Sequence, residues 1–320
     1  MSNKIKDSQN FDNEQRIANF ISRTTTSKLQ TLADDVKIIK DKNGNPICKA
    51  GIVRQGDENI VFTPAEAGNG PSHGHLLRAL FIAEEVYPES TVVFTPSATL
   101  RDPKTMNLPK GKSALDGAAE NHLRIYDQFG KYGKLILQGF SQGASLSGRI
   151  AADPRTPEDT DALILEATNN IERSLLKLVI DFASSGTNLA QIKKDYFKYA
   201  KNYELEKSII GELDLKSFAI FGAGLGVPAN LAMFKDLRKD TLKADIEKAI
   251  KSGRTILHAW AKNGISHKST NRQISQDMQK YENYKFIEFD KDPTGKSYDH
   301  SLTNDFSVIY DINQALKSDK

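Results

Sequence analysis

The feature that most constrains the fold is a regular alternation of short apolar runs and amphipathic stretches that starts near residue 59. The apolar runs have the length of buried strands, and the amphipathic stretches repeat their apolar positions with the period of a helix. Strands that alternate with helices predict an α/β fold with a mostly parallel central sheet and helices on both faces. The predicted strands are 59–63, 91–95, 134–138, 161–165, 255–259 and 285–289, and the predicted helices are 75–86, 114–129, 144–152, 270–281 and 306–316.

Two segments come before this alternation. Residues 1–30 are polar, with apolar positions at roughly helical spacing, which predicts an N-terminal helix or arm. The β-rich runs 36–39 and 47–53 flank the dipeptide Asn43-Gly44. Because Asn-Gly between such runs indicates a hairpin, the sheet is expected to begin with an antiparallel pair.

A long helical stretch interrupts the alternation at residues 170–250, and it contains no run that resembles a strand. A block of helices between two strands of one sheet predicts an insertion that packs over one end of that sheet. We therefore expect a core of residues 31–169 and 251–320 with a helical insertion between its two parts. The helices predicted within the insertion are 171–183, 189–203 and 242–250.

Composition excludes several classes of protein. Of the 320 residues, 38% are hydrophobic and 27% are charged, and the net charge is +3. This balance gives no electrostatic reason to expect a nucleic-acid partner. No signal sequence and no run of about 18 apolar residues is present, so we expect a cytoplasmic protein without a membrane span. The single cysteine, Cys48, cannot form an internal disulfide, and its place in a predicted strand indicates a packed thiol.

A serine between two glycines marks the candidate site. The segment Gly-Phe-Ser-Gln-Gly, residues 139–143, lies between a predicted strand and a predicted helix, which is the context that a nucleophile elbow requires. The turn is so sharp that side chains in place of Gly139 and Gly143 would collide with the neighbouring strand or helix. It lifts the Ser141 hydroxyl above the carboxyl ends of the strands, at a helix N-terminus that favours developing negative charge. Ser141 is therefore the candidate nucleophile.

From about residue 35 to residue 320 the chain resembles the α/β-hydrolase superfamily. The run Gly-Phe-Ser-Gln-Gly-Ala, residues 139–144, is similar to that of carboxylesterases, acyl-thioesterases and cutinase-like enzymes. The resemblance implies the α/β-hydrolase fold, with the insertion at 170–250 in the place of that fold's cap.

The resemblance also implies where the general base lies. In this superfamily the nucleophile, the acid and the histidine follow one another along the chain, and the histidine lies in the loop after the last strand. His300 satisfies this order, because it follows the predicted strand 285–289. His122 and His258 fall inside a predicted helix and a predicted strand, where we expect them to be packing residues.

The sequence departs from the superfamily at the position of the acid that orients the histidine. The loop after the strand 255–259 usually carries an aspartate, and Asn263 occupies that place here. An amide can orient an imidazole, but it stabilises imidazolium less than a carboxylate does. Glu166, at the end of the strand 161–165, is the alternative, because some hydrolases draw the acid from that loop. On the sequence, Asn263 is slightly favoured as the structural equivalent of the acid, and Glu166 stays the alternative.

Two backbone N–H groups are expected to form an oxyanion hole. One belongs to Gln142, the residue after the nucleophile, and the other comes from the loop after the predicted strand 59–63. In that loop the candidates are Ala65 and Glu66. His73 and His75 follow in the same loop, where they could line the site.

Together these features predict hydrolysis of a carboxylic ester or thioester through an acyl-enzyme on Ser141. The expected substrate is a small acyl compound, and the apolar run 218–227 in the insertion indicates that it is partly apolar. No pattern indicates a cofactor or a metal, since the glycines at 222–226 lack dinucleotide-loop spacing and no Cys/His cluster has zinc spacing. Because Asn263 stands at the acid position, a non-catalytic binding protein of the same fold is the alternative. A peptidase or acyltransferase would use the same groups.

Overall fold

A sheet of eight strands forms the centre of the part of the chain that the structure describes. The computed structural model describes residues 2–64, 71–98, 102–129, 133–167, 197–212, 227–239, 241–262, 268–290 and 305–317. The strands are β1 (Lys37–Lys40), β2 (Pro46–Arg54), β3 (Ile60–Pro64), β4 (Thr91–Thr95), β5 (Leu135–Phe140), β6 (Asp161–Leu165), β7 (Thr255–Ala261) and β8 (Tyr284–Phe289). Their order is β1-β2-β4-β3-β5-β6-β7-β8. The β1–β2 and β2–β4 pairs are antiparallel, and the strands from β4 to β8 in this order are parallel.

Helices cover both faces of the sheet. They are α1 (Ser2–Arg23), α2 (Thr26–Asp34), α3 (His73–Phe81), α4 (Ala114–Tyr126), α5 (Gln142–Ala152), α6 (Tyr203–Glu212), α7 (Pro228–Leu237), α8 (Leu242–Lys251), α9 (Lys268–Met278) and α10 (Phe306–Lys317). Neighbouring residues of a strand point to opposite faces, so Leu135 and Leu137 of β5 enter one apolar core and Ile136 enters the other. The first core is completed by α4, α5, α7, α8 and α9, and the second by α1, α2, α3, α6 and α10.

The α/β class predicted from the alternation is confirmed, and the predicted hairpin is the antiparallel edge formed by β1 and β2. The helix predicted for 75–86 is α-helical only to Phe81 and continues as one π-helical turn, Ile82–Val86. The predicted N-terminal arm is two helices, and Ile17 and Phe20 of α1 are fully buried. Every helix in the described ranges is too short or too polar to traverse a lipid bilayer.

The insertion is described only in part. The first helix predicted there, and most of the second at 189–203, lie outside the described residues. Over 198–202 the helix prediction is wrong, because these residues are irregular and α6 begins at Tyr203. The physical reason is Asn202, whose Oδ1 accepts the N–H of Leu205 at 3.1 Å. Asparagine favours such an N-terminal cap over a helix interior.

Candidate active site

Ser141 joins the end of β5 to the start of α5 in a strained backbone conformation. Its φ is 53° and its ψ is −123°, a region that non-glycine residues adopt rarely and at a cost. The side chain is only 5% exposed. The Ser141 N–H donates to the carbonyl of Leu165 at 3.0 Å, and the Ser141 carbonyl accepts the N–H of Ala144 at 3.0 Å. The serine is therefore held between the neighbouring strand β6 and its own helix.

Two glycines make room for this turn. A Cβ on Gly139 would lie 2.5 Å from the Cα of Ala144 and 2.7 Å from the carbonyl oxygen of Gly143. A Cβ on Gly143 would lie 2.5 Å from the carbonyl oxygen of Pro64, the last residue of β3. All three contacts are with backbone atoms that cannot rotate away. The turn can therefore form only with glycine at these two positions, unless the backbone shifts.

Gln142 is the first residue of α5, next to Ser141. Backbone N–H groups in the first turn of a helix have no acceptor within that helix and point along its axis. The N–H of Gln142 is one of these groups, and it directly follows Ser141 in the chain. The Gln142 side chain is buried, and its Oε1 has no hydrogen-bond partner among the described residues.

Glu166 lies at the end of β6, one residue beyond the carbonyl that accepts the Ser141 N–H. It is 1% exposed, and its φ of 53° is the second strained value beside the elbow. Its N–H donates to the carbonyl of Ala259 at 2.9 Å, and its Oε1 accepts the N–H of Ala261. Both contacts are with β7. The carboxylate is thus held at the end of β7, which lies two residues before Asn263 in the sequence.

A pocket of about 390 Å³, part of it open to solvent, lies beside the elbow. One buried histidine lines it. His122 donates from Nδ1 to the carbonyl of Ala118 at 2.8 Å, and its Nε2 lies 2.8 Å from the Thr95 hydroxyl. Burial lowers the pKa of His122 to about 4, so the ring is neutral near pH 7 and both nitrogens are engaged. The other residues around the pocket are Cys48, Pro64, Pro96, Ser97, Met106, Asn121, Gln142, Gly143 and Leu146.

Cys48 lies on β2 at the far side of this pocket. Burial raises the pKa of its thiol to about 12. A thiol that stays protonated is a poor nucleophile. Cys48 is therefore protonated near neutral pH.

The remaining histidines of the described chain have structural contacts. His258 of β7 is fully buried, and its Nδ1 lies 3.0 Å from the hydroxyl of Tyr284. His73 and His75 lie in the first turn of α3 and not in the preceding loop as predicted. The Nδ1 of His73 lies 2.5 Å from the hydroxyl of Ser208 in α6, and the Nδ1 of His75 lies 2.5 Å from the hydroxyl of Ser72. None of these three rings has a described contact with Ser141.

Four of the residues singled out from the sequence lie outside the described residues: His300, Asn263, Ala65 and Glu66. Their roles stay predictions. Ser141, Gln142 and Glu166 are described, and the structure brings them together at the carboxyl ends of β5 and β6.

Asn230 of α7 contacts a wall of the pocket and was not identified from the sequence. This residue is fully buried; its Nδ2 donates to the carbonyl of Ala98 at 2.8 Å and its Oδ1 accepts the Ser97 hydroxyl at 3.4 Å. It therefore holds the loop after β4, which forms one wall of the pocket. The available signal was a lone amide within the apolar run Pro228–Leu237, because a buried polar side chain requires partners.

A mostly parallel sheet that opens with an antiparallel hairpin and carries a strained serine between its central strand and the next helix is the α/β-hydrolase fold. No protein-family model and no curated protein matches the chain in sequence. Solved structures of this fold do match. A thermophilic esterase from Thermogutta terrifontis is 12% identical with a TM-score of 0.52, over 88% of this chain and 96% of the esterase.

Two further solved structures are similar to this chain. A lipase candidate (lip1) from Acinetobacter baumannii AYE is 12% identical over 96% of each chain, with a TM-score of 0.51. A membrane phospholipase A described as a bacterial virulence factor is 11% identical, over 91% of this chain and 88% of the other, with a TM-score of 0.54. At such low identity these similarities establish the fold.

Proposed function

We propose that this protein is a serine hydrolase that cleaves a carboxylic ester or thioester through an acyl-enzyme on Ser141. The observation that carries the proposal is the backbone of Ser141, with φ 53° and ψ −123° at the junction of β5 and α5. Strain of this kind persists only where the surrounding structure enforces it, and it collects at functional sites. Here Gly139 and Gly143 admit the contacts that enforce it.

In the proposed reaction His300 takes the proton of the Ser141 hydroxyl as the oxygen attacks the acyl carbon. The resulting oxyanion accepts the N–H of Gln142 and that of Ala65 or Glu66. The bond to the alcohol or thiol then breaks, and His300 returns the proton to that leaving group. Water, deprotonated by the same histidine, releases the acid and restores Ser141.

Glu166 is our preferred partner for His300, and Asn263 is the other candidate. Two observations support Glu166: a carboxylate buried to 1% exposure, and a strained φ next to the elbow. A carboxylate stabilises imidazolium better than an amide does. The contacts of Glu166 with Ala259 and Ala261 hold the carboxylate at the end of β7, two residues before Asn263 in the sequence.

The insertion is proposed to cover the serine as a cap. In support, α6 contacts the start of α3 through Ser208 and His73, and the start of α3 lies at the same edge of the sheet as the elbow. Asn230 of α7 contacts the loop after β4 at that edge as well. Helix α8 packs on α5 and β7 within the core. The proposed cap therefore ends before Leu242, and not at residue 250 as expected from the sequence.

A fluorophosphonate probe tests the nucleophile without knowledge of the substrate. We expect the probe to label the wild-type protein and to leave Ser141→Ala unlabelled. Ser147→Ala is the matched control, because Ser147 is another buried serine of α5, and it should label like wild type. Undiminished labelling of Ser141→Ala would falsify the assignment. A wild-type protein that resists the probe while folded would favour the alternative, a non-catalytic binding protein with Asn263 at the acid position.

A further inference from the structure

The wall of the pocket beside the elbow contains two amide side chains whose oxygens lack hydrogen-bond partners. The Oδ1 of Asn121 and the Oε1 of Gln142 are enclosed by the protein and accept no hydrogen bond within the described residues. The two residues are 1% and 3% exposed, and both line the pocket. A buried amide oxygen without a donor costs stability, so such an oxygen is usually completed by a ligand or a water.

The amide of Asn121 is fixed in orientation. Its Nδ2 donates to the carbonyls of Met106 and Asn107 at 2.7 and 3.3 Å. These two hydrogen bonds determine which end of the amide is the nitrogen. The oxygen end is therefore an acceptor that is held at the wall of the pocket.

The amide of Gln142 is less constrained. Its Oε1 has no partner among the described residues, and rotation about the last side-chain bond exchanges the oxygen and the nitrogen at little cost. Gln142 can therefore offer either an acceptor or a donor to a bound group. Its Cα lies about 3.8 Å from that of the neighbouring Ser141, so a group bound here is within a few bonds of an ester carbon at that serine.

The hydroxyl groups of the wall already donate to the protein. The Nδ1 of His122 donates to Ala118, so the Nε2 of the neutral ring can only accept, and the Thr95 hydroxyl donates to it at 2.8 Å. The Ser97 hydroxyl donates to the Oδ1 of Asn230 at 3.4 Å. The hydroxyl oxygens of Thr95 and Ser97 keep lone pairs that can accept. The wall therefore offers mainly acceptors to a bound group.

The described lining of the pocket is also uncharged. It contains no Asp, Glu, Lys or Arg, and Cys48, Met106 and Leu146 add apolar surface. A charged group would lose its hydration here without gaining a counter-ion, which is costly. A neutral hydroxyl on a short aliphatic chain fits better, because it can donate to an amide oxygen, accept from Gln142 and place its carbon atoms against the apolar surface.

We propose that this pocket is a subsite for a hydroxyl group of the substrate, so that the ester or thioester cleaved at Ser141 is a hydroxylated one. The inference rests on the proposed function and names its substrate class. An analogue without the hydroxyl leaves the amides of Asn121 and Gln142 without a partner. Sites that hydrogen-bond a substrate group discriminate strongly against analogues that lack it. The signature is a preference in kcat/KM for hydroxylated esters.

Matched pairs of esters test the substrate class. We expect kcat/KM to be about 10- to 100-fold higher for p-nitrophenyl 3-hydroxybutyrate than for p-nitrophenyl butyrate. A second pair, 2-hydroxyethyl butyrate and ethyl butyrate, carries the hydroxyl in the alcohol part, and the pair that shows the preference tells which part occupies the pocket. Equal kcat/KM within both pairs overturns the inference. If none of the four esters is cleaved and Ser141 resists the fluorophosphonate probe, the proposed function has failed and the inference falls with it.

Gln142→Met tests whether the amide produces the preference. Methionine is similar in length and volume, and it keeps the backbone N–H that we propose for the oxyanion hole. The ratio of kcat/KM within the preferred pair should fall by about 10-fold relative to wild type, and the intrinsic reactivities of the two esters cancel in this comparison. Gln273→Met, at an exposed glutamine of α9, is the control and should keep the wild-type ratio. An unchanged ratio in Gln142→Met overturns the inference.

The stability of the same variant separates substrate binding from a structural role. If the Gln142 amide lacks a partner until substrate binds, it destabilises the free protein, so Gln142→Met should raise the melting temperature by about 2–5 °C. An amide that serves the fold predicts the opposite change. A lower melting temperature, or a variant that fails to fold, therefore also overturns the inference.

Discussion

The ends of β5 and β6 lie side by side and carry the same unusual backbone angle, reached by different means. Ser141 and Glu166 both have a φ of 53° and neither is glycine. At the end of β5 the neighbours at positions 139 and 143 are glycines, and the turn follows from local sterics. At the end of β6 the next residue is Ala167, and Glu166 is held by two hydrogen bonds to β7.

The two strained turns therefore depend on different parts of the sequence. The turn at the end of β5 depends on the five residues 139–143, because it needs positions without side chains at Gly139 and Gly143. The β6 turn is encoded in partners about 95 residues away, because Ala259 and Ala261 supply the acceptor and the donor. Variants at both strand ends test whether the two turns are held in these different ways.

The largest expected effect is a loss of kcat when the charge of Glu166 is removed. If this carboxylate orients His300, Glu166→Gln should lower kcat by up to about 10⁴-fold, because an amide stabilises imidazolium poorly. The Gln side chain still has an oxygen for the Ala261 N–H, so thermal stability should change little. Steady-state esterase assays and a thermal melt measure both quantities.

The companion variant for that experiment is Asn263→Asp. We expect it to leave kcat within a few-fold of wild type when Glu166 is the acid. The opposite ranking, with a large gain from Asn263→Asp and no loss from Glu166→Gln, would assign the third position to residue 263. Two single variants in one assay thus separate the candidates.

The next largest effect concerns the glycines of the β5 turn. Gly143→Ala places a Cβ 2.5 Å from the Pro64 carbonyl oxygen, so we expect it to lower the free energy of unfolding by about 2–3 kcal/mol. Gly148→Ala on the same helix is the control. Its Cβ would meet only side-chain ends, the Cδ1 of Leu242 at 3.1 Å and the Cδ1 of Ile164 at 3.5 Å, and its effect should stay within about 1 kcal/mol. Urea unfolding measures both, and equal losses would contradict the steric account.

A third prediction concerns pH and β7, the strand that holds Glu166. Burial lowers the pKa of His258 to about 3, below its value in the unfolded chain. The unfolded state therefore binds more protons between pH 6.5 and pH 3, and stability falls as the pH falls through this window. The loss from His258 should reach about 2 kcal/mol by pH 5. Urea unfolding at pH 7.5 and 5 should show a smaller loss for His258→Phe; an unchanged loss would contradict this assignment.

The smallest effects are changes in the free energy of unfolding, which we expect to have opposite signs for glycine variants of Ser141 and Glu166. Ser141→Gly relieves the positive φ and should raise the free energy of unfolding by about 1 kcal/mol. Glu166→Gly relieves the same angle but leaves the buried Ala261 N–H without its acceptor, so it should cost about 2 kcal/mol. Thermal melts of the two variants test this, and a gain in both would show that the contacts of Glu166 with β7 contribute little.

The sequence by itself determined the layers of the fold and the candidate nucleophile. Alternating apolar runs specify strands buried on both faces, and Asn43-Gly44 specifies the hairpin, because each signal acts within a few residues. The same holds for Ser141, whose turn depends on Gly139 and Gly143 and on a strand and a helix directly beside it. These features could be predicted because the physics behind them is local.

Only the tertiary structure decided how Glu166 and Lys198 are held. The partner of Lys198, Asp305, is 107 residues away, and the carbonyl of Ile21 that Asn202 contacts is 181 residues away. Contacts across such separations leave no period or spacing in the sequence. The start of α6 also depends on Asn202, which caps this helix. In the sequence, Asn202 fits the helical pattern as an ordinary polar residue, so the pattern did not indicate the cap. The contacts of this carboxylate, this ammonium and this amide are made with partners distant in the sequence, and such partners meet only when the chain has folded.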